Sequence, residues 1–94
     1  MTLEELYKII INRKKNLPKD SYVASLFQKG RDRIIQKVGE EAMEVVIAGK
    51  NRSKSKIISE MADLWFHSLI LLAARDIKPS EILEELERRK KTNE

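Results

Sequence analysis

Four carboxylates in this chain sit at helix positions where carboxylates are normally out of place. Glu41 and Glu44 stand three apart in GEEAMEVVIAG (39–49), and Glu60 and Asp63 repeat that spacing in SEMADLWFHSLILL (59–72). Residues three apart on a helix project side by side, so each pair makes a pincer. At about 100° per residue, Ile34, Val38, Val45 and Ala48 form one apolar stripe, and Glu41 falls inside it. Glu44 lies one helical step to the side, and Glu40 is further out. The stretch from Met61 to Ala74 is apolar around nearly its whole circumference, yet Glu60, Asp63 and His67 share one narrow stripe. A carboxylate turned towards an apolar interior is costly unless it finds a partner or shifts its pKa. Two such pairs facing each other predict a shared partner, one or two divalent cations. Ligation by oxygen alone favours Mg²⁺, with Mn²⁺ as a substitute, over zinc. Mg²⁺ keeps several waters and bridges to phosphate. It polarises a phosphoryl oxygen and lowers the pKa of an attacking water, which suits nucleotide or pyrophosphate chemistry.

The plainer account of one such pair is a solvated face or an intrahelical ion pair. Two pairs on successive helices, both abutting apolar stripes, shift the balance towards a site. A di-iron bundle also uses inward carboxylates, but it requires Glu-x-x-His pairs, and Glu60 is followed three residues later by Asp63. His67, a lone histidine on a buried helix, reads as a satisfied core or interface residue rather than a ligand.

The elements that must position these acids are helices. Three glycines and two prolines in 94 residues leave few breaks. Thr2 and Glu5 have capping-box spacing, and Leu3, Leu6, Tyr7, Ile10 and Ile11 recur at helical intervals, giving a helix from Leu3 to Lys15 that stops before Pro18. Ser21 caps a short helix, Tyr22 to Lys29, closed by Gly30 in a left-handed position. A third helix runs from Asp32 to Ala48 with Gly49 as its stop. Ser53 or Ser55 opens a fourth through Ala74, with Met61, Leu64, Leu71, Leu72 and Trp65 in the core. Pro79 and Glu81 start a fifth that ends in the basic stretch Arg88 to Lys91. The expected fold is a single all-α domain of about five helices, spanning 1–94.

An apolar content of 41% allows only a modest core, and chains this short commonly gain burial by pairing with a second copy. The absence of cysteine excludes disulfides and thiolate-bound zinc. The first residues carry acids where a secretory leader needs bases, and the longest apolar run is too short to span a bilayer. A soluble, cytoplasmic protein with no membrane partner is the expectation. The net charge of +4 arises from 19 basic and 15 acidic side chains, with bases crowded in 13–19, 29–37 and 50–56. Charge alone does not choose between a polyanionic ligand and plain solubility. Nucleic acid is the weaker partner, because the five aromatics fall mostly at core-like positions and no recognition helix stands out.

The segment SYVASLFQKGRDRIIQKVGEEAMEVVIAGK, followed by SEMADLWFHSLILL, closely resembles the phosphoribosyl-ATP pyrophosphatases of histidine biosynthesis. The likeness runs from about Leu3 to Arg89. It is carried by Ser21-Tyr22, Lys29-Gly30, Lys37-Val38-Gly39-Glu40-Glu41 with Glu44, Glu60 with Asp63, and the closing Glu85-Leu86-Glu87-Arg88-Arg89. The EExxE and ExxD units are shared with the wider MazG-like superfamily of all-α nucleotide pyrophosphohydrolases, whereas the Ser-Tyr, Lys-Gly and KVGEE context narrows the likeness. Trp65-Phe66 stands where the family more often has Leu-Tyr, a change expected to affect packing. The resemblance implies Mg²⁺-dependent hydrolysis of the α–β phosphoanhydride of phosphoribosyl-ATP, giving phosphoribosyl-AMP and pyrophosphate. It also implies a helical-bundle homodimer, and a chain of this length should be separate from the cyclohydrolase of the next step.

Carried over by motif, Glu41, Glu44, Glu60 and Asp63 become the metal ligands. Glu40 holds a second metal, positions the attacking water or faces solvent, and a carboxylate among Glu40, Glu41 and Glu44 accepts the proton of that water. Lys37, one turn before Glu41, meets a phosphate oxygen or pairs with the acids. Lys29, Arg31 and Arg33, beside the Gly30 break, approach the polyanionic substrate or form a solvated basic face. The alternative activity within the superfamily is hydrolysis of nucleoside or deoxynucleoside triphosphates at the same metal site.

Overall fold

The computed structural model describes residues 1–51 and 53–93, with side chains as far as Lys90, and every regular element in them is helical. Arg52 of the 50–56 basic group and the side chain of Lys91 lie outside the described residues. Helix α1 (Leu3–Asn16) begins where the Thr2 hydroxyl accepts from the Glu5 amide at 3.1 Å. It ends one residue later than expected, with Leu17 in the left-handed region at φ 46°, ψ 55°. Helix α2 (Tyr22–Lys29) is capped by the Ser21 hydroxyl, which accepts from the Ala24 amide at 3.1 Å. Gly30 closes it at positive φ, as expected, but with an extended ψ (104°, 174°) rather than left-handed helical geometry. That region is open essentially to glycine alone. The Gly30 carbonyl accepts at once from the Ile34 amide at 3.3 Å, so one residue ends α2 and begins α3 (Arg31–Asn51).

Gly49 does not stop α3, which continues two residues beyond it. A glycine inside a helix costs only about 0.5–1 kcal/mol relative to alanine, and packing against the next helix outweighs that. Helix α4 (Lys54–Ala74) starts at Ser53, whose hydroxyl accepts from the Lys56 amide at 3.4 Å. Helix α5 (Pro79–Asn93) opens with proline as its first residue, and Glu81 reaches back to accept from the Lys78 amide at 2.8 Å.

Helices α3 and α4 pack on each other as a long hairpin, α1 lies on α2 and α4, and α5 lies on α1. The core is gathered at one end of this hairpin. It consists of Tyr7 and Ile10 from α1, Val23 and Leu26 from α2, Ile34 from the start of α3, and Leu69, Ile70 and Ala73 from the end of α4. Lys14 ties α1 to that end, its ammonium donating to the Ala73 carbonyl at 2.8 Å and to Asp76 at 3.0 Å. The other end of the hairpin is a two-helix arm that leaves Met43, Val46, Ile47 and Ile58 exposed. Leu71 and Leu72 pack at the core's edge, and Met61 and Leu64 are half-buried. Trp65 corrects the expectation: it is 56% exposed, on a face of α4 turned away from the core. Helix α4 is long and apolar enough to cross a membrane by length and composition, but Leu69, Ile70 and Ala73 make it the domain's core helix, and it carries Glu60 and Asp63.

The three glycines have open space around the position a Cβ would take, so backbone geometry alone decides their replacement. Gly30→Ala, at positive φ, should lower the unfolding free energy by about 1–3 kcal/mol. Gly39→Ala, inside α3, should raise it by about 0.4–1 kcal/mol. Denaturant unfolding of the two variants measures both shifts, which should have opposite sign.

Candidate active site

Burial of Ile34 and Ala48 fixes the rotation of α3 about its own axis, and Glu41, on the same stripe, is carried inward with them. Its side chain is 13% exposed. On α4, Ile70 and Ala73 set the rotation, and the stripe that continues from them carries His67, Asp63 and Glu60. The Glu60 side chain is 14% exposed, whereas Asp63 lies at the rim. Across the hairpin, one carboxylate oxygen from each of Glu41, Glu60 and Asp63 lies within 4.8 Å of the other two. Three of the four acids expected to meet therefore do so.

Glu44 is exposed and stands outside this group, with no ion pair among the described residues. Glu40 is engaged elsewhere: it accepts from Gln36 at 3.2 Å and faces Arg33 at 3.7 Å and Lys37 at 3.5 Å. Lys37 bridges the two sets of acids, its ammonium lying 3.2 Å from Glu41. The bond to Glu41 raises the Lys37 pKa above its usual value; burial opposes this, and the nearby Tyr22, Glu41 and Glu40 add to it. Lys37 is thereby held charged. Lys56, one turn before Glu60, lies 3.8 Å from it. Lys29 and Arg31 are exposed on either side of Gly30, and Arg31 lines a groove with Lys14, Leu17, Phe27, Ile34 and Ala74 instead of joining the acids.

Two like charges at such a separation repel by on the order of 3 kcal/mol at an effective dielectric of 20. Lys37 and Lys56 offset part of this for Glu41 and Glu60. Asp63 has no cationic partner among the described residues. Hard oxygens with excess negative charge, two of the three acids largely withdrawn from water, fit a hard divalent cation and offer nothing a soft metal would prefer.

His67 is 6% exposed, and both ring nitrogens are taken by the protein. Nδ1 lies 2.7 Å from the Asp63 carbonyl oxygen, and Nε2 lies 2.8 Å from the Tyr22 hydroxyl. It is the satisfied residue that the sequence suggested, not a ligand. The Tyr22 contact was not foreseen as part of the site. Tyr22 is 45 residues from His67, and no local spacing signals their meeting. The Lys56–Glu60 pair, by contrast, has the i,i+4 spacing of an ordinary helical ion pair and was readable.

The family model described as phosphoribosyl-ATP pyrophosphohydrolase matches residues 3–90. A phosphoribosyl-ATP pyrophosphatase of Geobacter sulfurreducens is 53% identical over 87 residues, covering 93% of this chain and 81% of its own. One from Trichlorobacter lovleyi is 55% identical over 87 residues, with the same coverage. One from Methanocella arvoryzae is 48% identical over 91 residues, covering 95% of this chain and 96% of its own.

If the three carboxylates are a mutually repelling set, neutralising one should not weaken the fold in the presence of a chelator. Asp63→Asn in EDTA should melt at or above the wild-type temperature, and added Mg²⁺ should stabilise the wild type but not the variant. Calorimetry with and without Mg²⁺ reads both effects.

Proposed function

The chain belongs to the phosphoribosyl-ATP pyrophosphohydrolase family, and on that premise we propose that its acid cluster is the Mg²⁺ site at which phosphoribosyl-ATP is hydrolysed. The reaction is a step of histidine biosynthesis. Water cleaves the α–β phosphoanhydride, leaving phosphoribosyl-AMP and pyrophosphate. The observation that carries the assignment is the meeting of Glu41, Glu60 and Asp63 across the α3–α4 hairpin.

Those three acids would hold the cation, Mg²⁺ or Mn²⁺. When bound, it would neutralise phosphate charge and lower the pKa of a water. Glu44, three residues from Glu41, completes the ligand set or accepts the proton of the attacking water. Glu40 shares that second role, and its contacts with Gln36, Arg33 and Lys37 keep it near. Lys37, charged and already beside Glu41, is placed to meet a phosphate oxygen. Arg33, Lys29 and Arg31 extend positive charge from the site along the start of α3 and the end of α2.

The protein is further proposed to act as a cytoplasmic homodimer. The arm residues Met43, Val46, Ile47 and Ile58 are exposed, and Trp65 joins an apolar groove with Ile57, Ile58 and Met61 to another lined by Leu72, Ile82, Leu83 and Leu86. This is more apolar surface than an 11.0 kDa monomer can spare, and a second copy offers the matching face.

Two measurements test these statements. Pyrophosphate release from phosphoribosyl-ATP should require Mg²⁺, and Glu41→Gln or Asp63→Asn should lower kcat/KM at least about 100-fold. Undiminished turnover in those variants would remove the metal assignment, and hydrolysis of deoxynucleoside triphosphates without any of phosphoribosyl-ATP would replace the substrate. Trp65→Glu should convert a dimer into a monomer by light scattering; a wild type already monomeric at micromolar concentration would sink the dimer.

A further inference from the structure

We infer that Tyr22 is a specificity-determining residue, whose hydroxyl oxygen is held by His67 as an acceptor-only group that receives a hydrogen bond from the substrate ribose. The inference rests on reading the acid cluster as the phosphoribosyl-ATP site.

The chain of hydrogen bonds starts at a group that can only accept. The Asp63 carbonyl oxygen has lone pairs and no hydrogen, so His67 Nδ1, 2.7 Å away, must carry the proton. In the neutral ring, Nε2 is then left with a lone pair. The Tyr22 hydroxyl, 2.8 Å from Nε2, donates its single hydrogen there. The imidazole cannot easily turn out of this arrangement. It is 6% exposed and wedged edge-on between Tyr22, with ring centroids 5.7 Å apart, and Phe66, at 5.4 Å. With its hydrogen committed, the Tyr22 oxygen can present only lone pairs to anything else.

Tyr22 is not buried with its partner. It is 49% exposed against 6% for the imidazole, and a hydroxyl oxygen that has donated its hydrogen still carries lone pairs. One imidazole separates its hydroxyl from the backbone of Asp63, whose carbonyl oxygen holds the other ring nitrogen, and His67 is one turn beyond Asp63, about 6 Å along the α4 axis. An acceptor-only oxygen repels phosphate oxygens, which are acceptors themselves, and attracts a donor. Within the substrate, the donors nearest the triphosphate are the hydroxyls of the ribose that carries it. Lys37, 3.2 Å from Glu41, then meets the phosphate and Tyr22 the sugar.

The test pairs Tyr22→Phe with substrates lacking the 2′ or the 3′ hydroxyl of that ribose. The wild type should show KM raised roughly three- to ten-fold on one of the two deoxy substrates, with kcat little changed. Tyr22→Phe should show a similar rise on phosphoribosyl-ATP and no further rise on that deoxy substrate. An unchanged KM in Tyr22→Phe, or the same discrimination as the wild type, overturns the proposal. The protein contains a single histidine, so its ¹⁵N resonances read the tautomer directly. A proton on Nδ1 and none on Nε2 is expected, and a proton on Nε2 overturns the acceptor argument. A wild type that releases no pyrophosphate from phosphoribosyl-ATP removes the reading of the site as well, whereas an active wild type indifferent to the Tyr22 change removes only this proposal.

Discussion

The rotation of α3 and α4 about their own axes is the constraint on which the site depends. Ile34 on α3 and Ile70 on α4 are fully buried in the same core, and neither helix can turn by one residue without drawing one of them out. Exposing a side chain of that size costs about 1.5–3 kcal/mol. Helical periodicity then carries the setting outward along each helix. Glu41 lies two turns from Ile34, and Asp63 two turns from Ile70, so both are delivered to the seam. The carboxylates are not drawn together by any attraction of their own. Apolar packing at one end of the hairpin holds them against their mutual repulsion further along.

This division of labour explains the uneven distribution of the core. The helices α1 and α2 cover only the end of the hairpin that sets its rotation, and Met43, Val46, Ile47 and Ile58 on the arm lie outside that cover. The 44 × 33 × 27 Å extents describe a molecule whose hairpin outruns its cover. A chain of this size cannot both bury a core around the whole hairpin and leave the acids reachable. Placing the site where the cover stops gives Glu41 and Glu60 a largely dry flank and leaves Asp63 open to solvent.

The fold and most of the site were legible in the sequence because both rest on one period. The caps at Thr2, Ser21 and Ser53 are side-chain chemistry within three residues, and the inward turn of Glu41 follows from counting 100° steps. The misreadings share a cause as well. Helix α4 is apolar all round, so periodicity does not say which apolar face meets the core, and Trp65 was assigned to the wrong one. At Gly49 a real breaking tendency was outweighed by packing that no local rule sees. The contact between Tyr22 and His67 depends on how α2 lies over α4, a property of the tertiary fold. The resemblance flagged Ser21-Tyr22 as a motif but supplied no physical role for the tyrosine.

Along the α4 stripe, ionisable side chains give way to an apolar one towards the core. From the arm inward it reads Glu60, Asp63, His67, Ile70: two carboxylates, one imidazole, then a side chain with no exposure. The penalty for a charge rises steeply with withdrawal from water, whereas a neutral ring is tolerated once each polar atom is matched. His67 is the only buried polar side chain among the described residues, and both its nitrogens are matched. A carboxylate at position 67 would lie as deep without a cation beside it, and an aliphatic residue there would leave the Tyr22 hydroxyl free to turn. The imidazole closes the core on its inner side and, through its outer nitrogen, fixes the Tyr22 hydroxyl.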